Sequence, residues 1–218
     1  MLKAGGHGKT SIERQMRRIP PVDGKRFKRQ IEFILEADKL KKVARRTTLL
    51  DVSRRENSAE HSWHIALLVL ILCEYAEDQN LNLLRVIKLL LIHDLVEIDA
   101  GDTYCYDEVG NQDQLQREIR AAERIFNILP ADQADALRAL WDEYEARATP
   151  ESKFANAVDR VQPFLHNYFT RGHTWQKHGI RKSQVVKRMK PVHEGSQTLW
   201  EYVSSLIDDA VQQGFLAQ

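Results

Sequence analysis

The sequence predicts an all-α protein, and three features support that fold class. Apolar residues recur at the three- and four-residue spacing of amphipathic helices, whereas alternating β-branched stretches are rare. Glycine and proline are sparse, at 10 and 6 of 218 residues. The hydrophobic share of 43% and the charged share of 29% are those of an ordinary globular protein. We therefore expect a single helical bundle with a substantial core and peripheral helices.

Several of the predicted helices have clear start or stop signals. Ser58 is expected to cap the second helix. The run Thr149-Pro150-Glu151 combines a cap, a proline at the first position and an acid at the positive end of the helix dipole. Gly101 is expected to end the helix that contains His93. The main helices are predicted at 26–43, 58–79, 81–98, 111–129, 131–147, 151–170 and 195–213, with shorter ones near 10–18 and 180–189.

The charge pattern divides the chain unevenly. Residues 1–55 contain 16 Lys or Arg and 6 Asp or Glu, whereas residues 56–163 contain 9 and 21. An acidic middle with basic flanks suits a cation site whose rim attracts an anion. The basic start also permits a module that binds nucleic acid. Nucleic acid is the less favoured partner, because only Phe27 and Phe33 offer stacking surfaces there.

Domain organisation and compartment follow from the same survey. We expect a basic extension over residues 1–24 and one domain over residues 25–218. The longest apolar run, from Ile65 to Cys73, is about half of a bilayer span, so no membrane helix is expected. The N-terminus lacks the apolar region of a secretory signal. Cys73 and Cys105 form neither a CxxC motif nor a disulfide framework, which favours a reducing cytoplasm.

The strongest functional signal is LLIHDLVEIDAGDT, residues 90–103. Burying charge is costly, and several acidic groups near a histidine repel one another unless a cation holds them. Since His93 and Asp94 diverge by about 100° on a helix, an ion between them is within reach of both. His61 lies on the apolar face of the second helix, and Asp159 is an acid in a largely apolar segment. We expect these four side chains to bind one metal ion.

Each of these residues alone also has a simpler interpretation. His61 fits a hydrogen-bonded core histidine, and Asp159 fits an ion pair with Arg160. The order His…His-Asp…Asp is more specific, and it resembles the signature of the HD-domain metal-dependent phosphohydrolases. The strings RRENSAEHSW, LLIHDLVEIDAGDT and ANAVDRVQPF are similar to the branch that contains the bacterial 5′-deoxynucleotidases and their eukaryotic HD-domain-containing relatives. The resemblance covers about residues 26–190.

The resemblance implies a fold, a reaction and a cofactor. The fold is an HD-domain helical bundle, and the reaction is release of phosphate from (deoxy)nucleoside 5′-monophosphates by a metal-activated water. The cofactor is one divalent ion, and a site of two imidazoles and two carboxylates suits Mn, Co, Fe, Zn or Mg. A homodimer is implied as well, to which the C-terminal helix, predicted at 195–213, is able to contribute.

Further site residues are expected around the metal ligands. Glu97 shares a helix face with His93 and is the expected general acid or base. By resemblance, Asp102 lies in the site and handles water or substrate. Arg46 matches the position at which the family contacts phosphate, and its neighbour Arg45 is the alternative.

Other functions stay open at this point. The characterised deoxynucleotidases have a Trp shortly after the phosphate-binding Arg, whereas Thr47 and Thr48 follow Arg46 here. This difference leaves the sugar preference undetermined. An HD hydrolase of the alarmone ppGpp is an alternative, although Ile98 stands where that branch has Asp. A non-catalytic helical module, stapled by a metal and binding nucleic acid or nucleotides, is the other alternative.

Overall fold

The computed structural model describes residues 24–218, which form a predominantly helical fold with one small antiparallel hairpin. The predicted basic extension, apart from Gly24, and the predicted helix at 10–18 lie outside the described residues. The elements, in chain order, are α1 (Lys25–Ala37), β1 (Ala44–Thr48), β2 (Arg55–Asn57), α2 (Ser58–Leu72), α3 (Leu83–Ile92), α4 (Glu97–Ala100), α5 (Gln114–Phe126), α6 (Ala131–Ala146), α7 (Pro150–Phe169), α8 (His173–His178), α9 (Lys182–Met189) and α10 (Gln197–Gln212). Short 3₁₀ helices lie at Asp38–Lys42, Cys73–Tyr75, His93–Val96 and Lys190–Glu194.

The cap of α2 differs from the prediction by one residue. Asn57, not Ser58, is the N-cap, because its side chain accepts the Glu60 backbone N–H at 2.9 Å. The Glu60 carboxylate in turn accepts the Asn57 backbone N–H at 3.2 Å, which completes a capping box. Ser58 is therefore free to turn its hydroxyl into the protein interior. The cap predicted at Thr149 and the stop predicted at Gly101 are both confirmed.

The hairpin is a feature that the sequence analysis missed. Strands β1 and β2 pair antiparallel, with Ala44 opposite Asn57 and Thr48 opposite Arg55. Both strands are largely polar, so they lack the apolar alternation that signals a strand. Side chains of a strand point alternately to opposite faces. As a result Arg45 turns toward the helices, whereas Arg46 is exposed.

The helix predicted at 81–98 is interrupted. Helix α3 ends at Ile92, the next turn, His93–Val96, is 3₁₀, and α4 resumes at Glu97. The 3₁₀ turn is tighter than an α-turn, so it changes the directions in which His93 and Asp94 project. Gly101 ends α4 with a φ of 74°, a conformation that glycine adopts without a steric penalty.

The core explains how the site is held. Helix α7 lies at its centre and contributes Phe154, Val158 and Val161, all at most 1% exposed. Helices α2, α3 and α10 pack around it, and a smaller apolar cluster joins α5 to the His93–Val96 turn. Leu199, Val203 and Ile207 of α10 are buried in this core. Among residues 24–218, no helix is long and apolar enough to cross a membrane.

Candidate metal site and its cavity

Four side chains from three separate elements converge where α2, α7 and the His93–Val96 turn meet. The His61 Nε2 atom lies 2.9 Å from Asp159 Oδ1, and the His93 Nε2 atom lies 2.9 Å from Asp94 Oδ1. His93 Nε2 is also 3.8 Å from Asp159 Oδ1. All four residues are buried, and His61 is fully inaccessible. The structure thus brings together the complete set of predicted metal ligands.

The hydrogen bonds of the two histidines indicate which ring nitrogen of each is available to a cation. His93 Nδ1–H donates to the Leu90 carbonyl at 2.8 Å, so its Nε2 carries a lone pair. His61 Nδ1–H donates to Gln162 Oε1 at 3.0 Å, with the same consequence. Within residues 24–218, the buried His93 Nε2 has no hydrogen-bond partner. Burial acts to lower the pKa of His93, but Asp94 and Asp159 outweigh it and raise the pKa well above its usual range, so this site favours positive charge at Nε2. A divalent ion would supply that charge, and the donor set fits one.

The spacing of the donor atoms agrees with this interpretation. Adjacent ligands of an octahedral ion that is bound at about 2.1 Å lie roughly 3 Å apart. The two contacts of 2.9 Å have that spacing. Burial acts to raise the pKa of Asp159, but the neighbouring imidazoles of His61 and His93 outweigh it and hold the pKa well below its usual range. Asp159 is therefore an anionic ligand at neutral pH.

An arginine also enters the carboxylate cluster, and it is Arg45 rather than Arg46. Arg45 Nη1 donates to Asp94 Oδ2 at 2.9 Å and lies 3.8 Å from Asp102 Oδ1. The Arg45 side chain is only 12% exposed, and these carboxylates raise its pKa further despite its burial. Arg46, the residue expected to bind substrate, is exposed at the cavity wall. The alternation of β1 decides this register.

The two predicted catalytic acids occupy one side of the cluster. Glu97 is 8% exposed, and the Ser58 hydroxyl donates to its Oε2 at 2.6 Å. Burial, together with the nearby charge of Asp94, raises the pKa of Glu97 well above its usual range. Burial also raises the pKa of Asp102, although the charge of Arg45 opposes that shift. Ser58 therefore holds Oε2 of Glu97 in place, whereas Oε1 makes no hydrogen bond to Ser58.

A cavity of about 650 Å³ opens above the ligands. This volume lies within the usual range for small-molecule sites. Aromatic rings from the loop after α4 and charged groups of both signs line it. The lining includes Arg45, Glu97, Asp102, Tyr104, Tyr106, Arg160 and Arg188.

Gln162 connects the predicted metal ligands to a second polar cluster that sequence analysis missed. Its Oε1 accepts the His61 Nδ1–H, and its Nε2 donates to Glu56 Oε1 at 2.7 Å. His64 Nδ1 and His166 Nε2 lie 3.2 and 3.1 Å from the same Nε2. Glu56, His64 and His166 have donor atoms close enough to hold a metal, but the amide of Gln162 occupies their centre. The one signal in the sequence is the spacing Asp159-x-x-Gln162 on α7.

Neighbouring charged residues have structural roles. Glu60 completes the α2 capping box and also accepts two hydrogen bonds from Arg54, so it does not orient an imidazole. Asp99 pairs with Arg124 outside the cavity. His64 is half-buried and lies within hydrogen-bonding distance of Gln162.

The chain is similar to several known proteins. A family model described as the HD domain matches residues 37–200. A predicted metal-dependent phosphohydrolase from Magnetospirillum magnetotacticum, known from a crystal structure, is 49% identical with a TM-score of 0.86, covering 91% of this chain and 99% of that one. 5′-Deoxynucleotidase HDDC2 from Bos taurus is 28% identical over 148 residues, which are 67% of this chain and 70% of that protein. Its Homo sapiens counterpart is 29% identical over 136 residues, 62% and 65% of the two chains.

The matches cover most of the chain, and their descriptions name the same family or the same class of enzyme. The matched regions span about two thirds of the length of the bovine and human relatives. The family match includes each of the four converging ligands, Glu97 and Asp102. From the sequence motifs, the fold and the extent of the family match, we conclude that this chain belongs to the HD domain family.

Proposed function

We propose that this protein is a metal-dependent phosphomonoesterase that releases phosphate from nucleoside 5′-monophosphates. His61, His93, Asp94 and Asp159 would hold its one divalent ion. The observation that carries the proposal is the convergence of two imidazole Nε2 atoms and two carboxylates at the floor of an open cavity. The names of the relatives, a metal-dependent phosphohydrolase and 5′-deoxynucleotidases, support the same chemistry.

Each residue of the site has a separate role in the proposed reaction. A bound divalent ion would supply Lewis-acid chemistry, lowering the pKa of a water and polarising a phosphoryl oxygen. Glu97, anchored through Oε2 by Ser58, uses Oε1 to accept a proton from the attacking water or to deliver one to the leaving sugar oxygen. Arg45 holds Asp94 in place and offsets the charge of Asp102. Hydrogen bonds from Nδ1 keep both imidazoles in the tautomer that ligates metal.

Substrate features follow from the cavity walls. Tyr104 and Tyr106 lie there with ring centroids 5.3 Å apart, and they offer apolar faces for a nucleobase. Thr47 also lines the cavity, near the position at which the deoxynucleotidases carry a Trp. A small polar residue closes off less space beside the sugar than an indole does. We therefore propose that ribose and deoxyribose nucleotides are both accepted.

The test is phosphate release by the protein after its metal has been removed and restored singly as Mn²⁺, Co²⁺, Mg²⁺ or Zn²⁺. The substrates are ribo- and deoxyribonucleoside 5′-monophosphates, with ppGpp beside them. We expect metal-dependent release from the monophosphates, and a Glu97→Gln variant that retains metal but loses about 10²–10⁴-fold in turnover. Asp99→Asn, which removes an acid of the same short helix outside the cavity, is the matched control. Metal-bound protein that releases no phosphate would contradict the proposal.

We also propose that the protein is a homodimer, and that α2 forms its interface. From Ile65 to Leu72 this helix is apolar on all sides, a pattern typical of helices that are fully covered. Its outer face is nevertheless exposed, and α3 adds two exposed leucines beside it. The exposed residues of this face are Trp63, Leu67, Leu70, Ile71, Leu84 and Leu91. An apolar face of this size is characteristic of an interaction surface. Helix α10 is less suited, because Leu199, Val203 and Ile207 already pack in the core.

A cytoplasmic location is proposed on chemical grounds. Cys73 and Cys105 are both free thiols, as expected in a reducing compartment. Localisation of the tagged full-length chain by microscopy and fractionation tests this proposal.

A further inference from the structure

Two arginines on the wall of the cavity have no part in the mechanism above. Arg160 follows the ligand Asp159 on α7, and Arg188 comes from α9. Arg188 Nη2 lies 3.8 Å from Asp159 Oδ2, and its side chain is 34% exposed. Arg188 donates no hydrogen bond to any other residue in the described range 24–218. Its guanidinium thus faces the cavity with unused N–H groups.

Arg160 is a buried donor that is only partly satisfied. It is 5% exposed, and its Nη1 donates to the backbone and side-chain oxygens of Asn156, both at 2.9 Å. Its buried Nε has no acceptor among the residues that the structure describes. Buried donors of this kind are rare in folded proteins, and each of them calls for a partner. An acceptor that enters the cavity would provide one.

The two guanidinium groups also repel each other. Arg160 and Arg188 both line this cavity, and guanidinium groups stay protonated at neutral pH, so both are cations. Within the described part of the chain, Asp159 is the one acid within 4 Å of either, through Arg188. Its other oxygen is directed at the histidines. This corner of the cavity therefore carries excess positive charge.

We propose that Arg160 and Arg188 form a phosphate-binding pair that holds the phosphate group undergoing hydrolysis. Planar guanidinium groups match phosphate oxygens in geometry, and two cations match the charge of a phosphomonoester dianion. The pair lies beside the ligand Asp159, so an anion held there is adjacent to the metal site. Arg45 is less available for this role, because Asp94 already accepts its Nη1 at 2.9 Å. The inference rests on the proposed function for the identity of the bound group.

The test measures binding of inorganic phosphate to the Mn²⁺-loaded protein by calorimetry, beside KM for a nucleoside 5′-monophosphate. Arg188→Gln is expected to weaken phosphate binding at least tenfold and to raise KM by a similar factor. Its Mn²⁺ affinity and melting temperature should stay near the wild-type values, since the side chain is partly exposed. Lys187→Gln is the matched control, because it removes a neighbouring exposed charge of α9 that does not line the cavity.

The possible outcomes separate this inference from the proposed function. Wild-type phosphate affinity and KM in Arg188→Gln would overturn the pair, even if the enzyme proves to be a phosphatase. Weaker phosphate binding in Arg188→Gln, in a protein that hydrolyses no monophosphate, would support the pair and refute the proposed function. If Arg188→Gln weakens the binding of a nucleoside 3′,5′-bisphosphate but not of inorganic phosphate or a 5′-monophosphate, the pair binds a second phosphate. That result would overturn its assignment to the reacting group. Absence of phosphate binding to the wild-type protein would also overturn it.

Discussion

Replacement of Gln162 by leucine tests whether a buried amide orients His61, one of the proposed metal ligands. Gln162 is 1% exposed and accepts the His61 Nδ1–H at 3.0 Å through Oε1. Its Nε2 donates to Glu56 Oε1 at 2.7 Å. Leucine has a similar volume and no polar atom, so Gln162→Leu removes both hydrogen bonds without opening a large cavity.

The magnitude follows from the groups that lose their partners. The His61 Nδ1–H and Glu56 Oε1 would both be left unsatisfied, and both residues are at most 2% exposed. An unsatisfied buried polar group costs about 1–3 kcal/mol, so the free energy of unfolding should fall by roughly 2–6 kcal/mol. Loss of a hydrogen bond behind a ligating histidine typically lowers metal affinity about 10–100-fold.

The assay combines denaturant unfolding of the metal-free protein with titration of Mn²⁺. A second variant, Gln162→Glu, keeps an oxygen opposite the His61 Nδ1–H but loses the amide that donates to Glu56. We expect the Mn²⁺ affinity of Gln162→Glu to stay within a few fold of wild type. The Mn²⁺ affinity of Gln162→Leu should fall by about 10–100-fold. Wild-type Mn²⁺ affinity in a folded Gln162→Leu protein would refute the reasoning, because His61 would then be oriented by other contacts.

Two further predictions concern stability and assembly. Burial raises the pKa of Glu118 from 4.5 to about 7, so the folded state keeps a proton that the unfolded chain releases, and stability falls as the pH rises through this window. Glu118→Gln should therefore match wild type in thermal melts at pH 4 and be more stable at pH 8, by on the order of 3 kcal/mol at most; equal melting temperatures at pH 8 would contradict the assignment. For assembly, a Leu70→Glu/Ile71→Glu variant should elute as a folded monomer in light scattering, while Val109→Glu, at an exposed apolar residue outside α2 and α3, should leave a dimer intact. A dimer that survives the double change would exclude α2 as the interface.

Local signals in the sequence were sufficient for most helices and for selecting the four residues that we propose as metal ligands. The apolar spacing and the cap at Thr149 depend on residues a few positions apart, so they are visible without a fold. The predicted HD-domain membership and helical class are confirmed. The roles of the individual site residues stay predictions, although the structure brings His61, His93, Asp94 and Asp159 together.

The hairpin shows why local reasoning was insufficient elsewhere. Strands β1 and β2 have little apolar alternation, and distant contacts hold them instead. Arg45 bonds to Asp94, and the Thr48 carbonyl accepts the His166 Nδ1–H at 3.0 Å. Such partners are 49 and 118 residues apart in the chain, so no short window of sequence contains the information.

The sequence by itself determined the helical class, and it was enough to propose the ligand set and the acid at Glu97, because helix period and motif spacing are properties of neighbouring residues. Only the tertiary structure decided which arginine enters the carboxylate cluster, that Gln162 lies behind His61, and that Arg160 and Arg188 meet at one wall. These three arrangements result from strand register and long-range packing. Both depend on which surfaces are buried together, and burial is set by the whole chain.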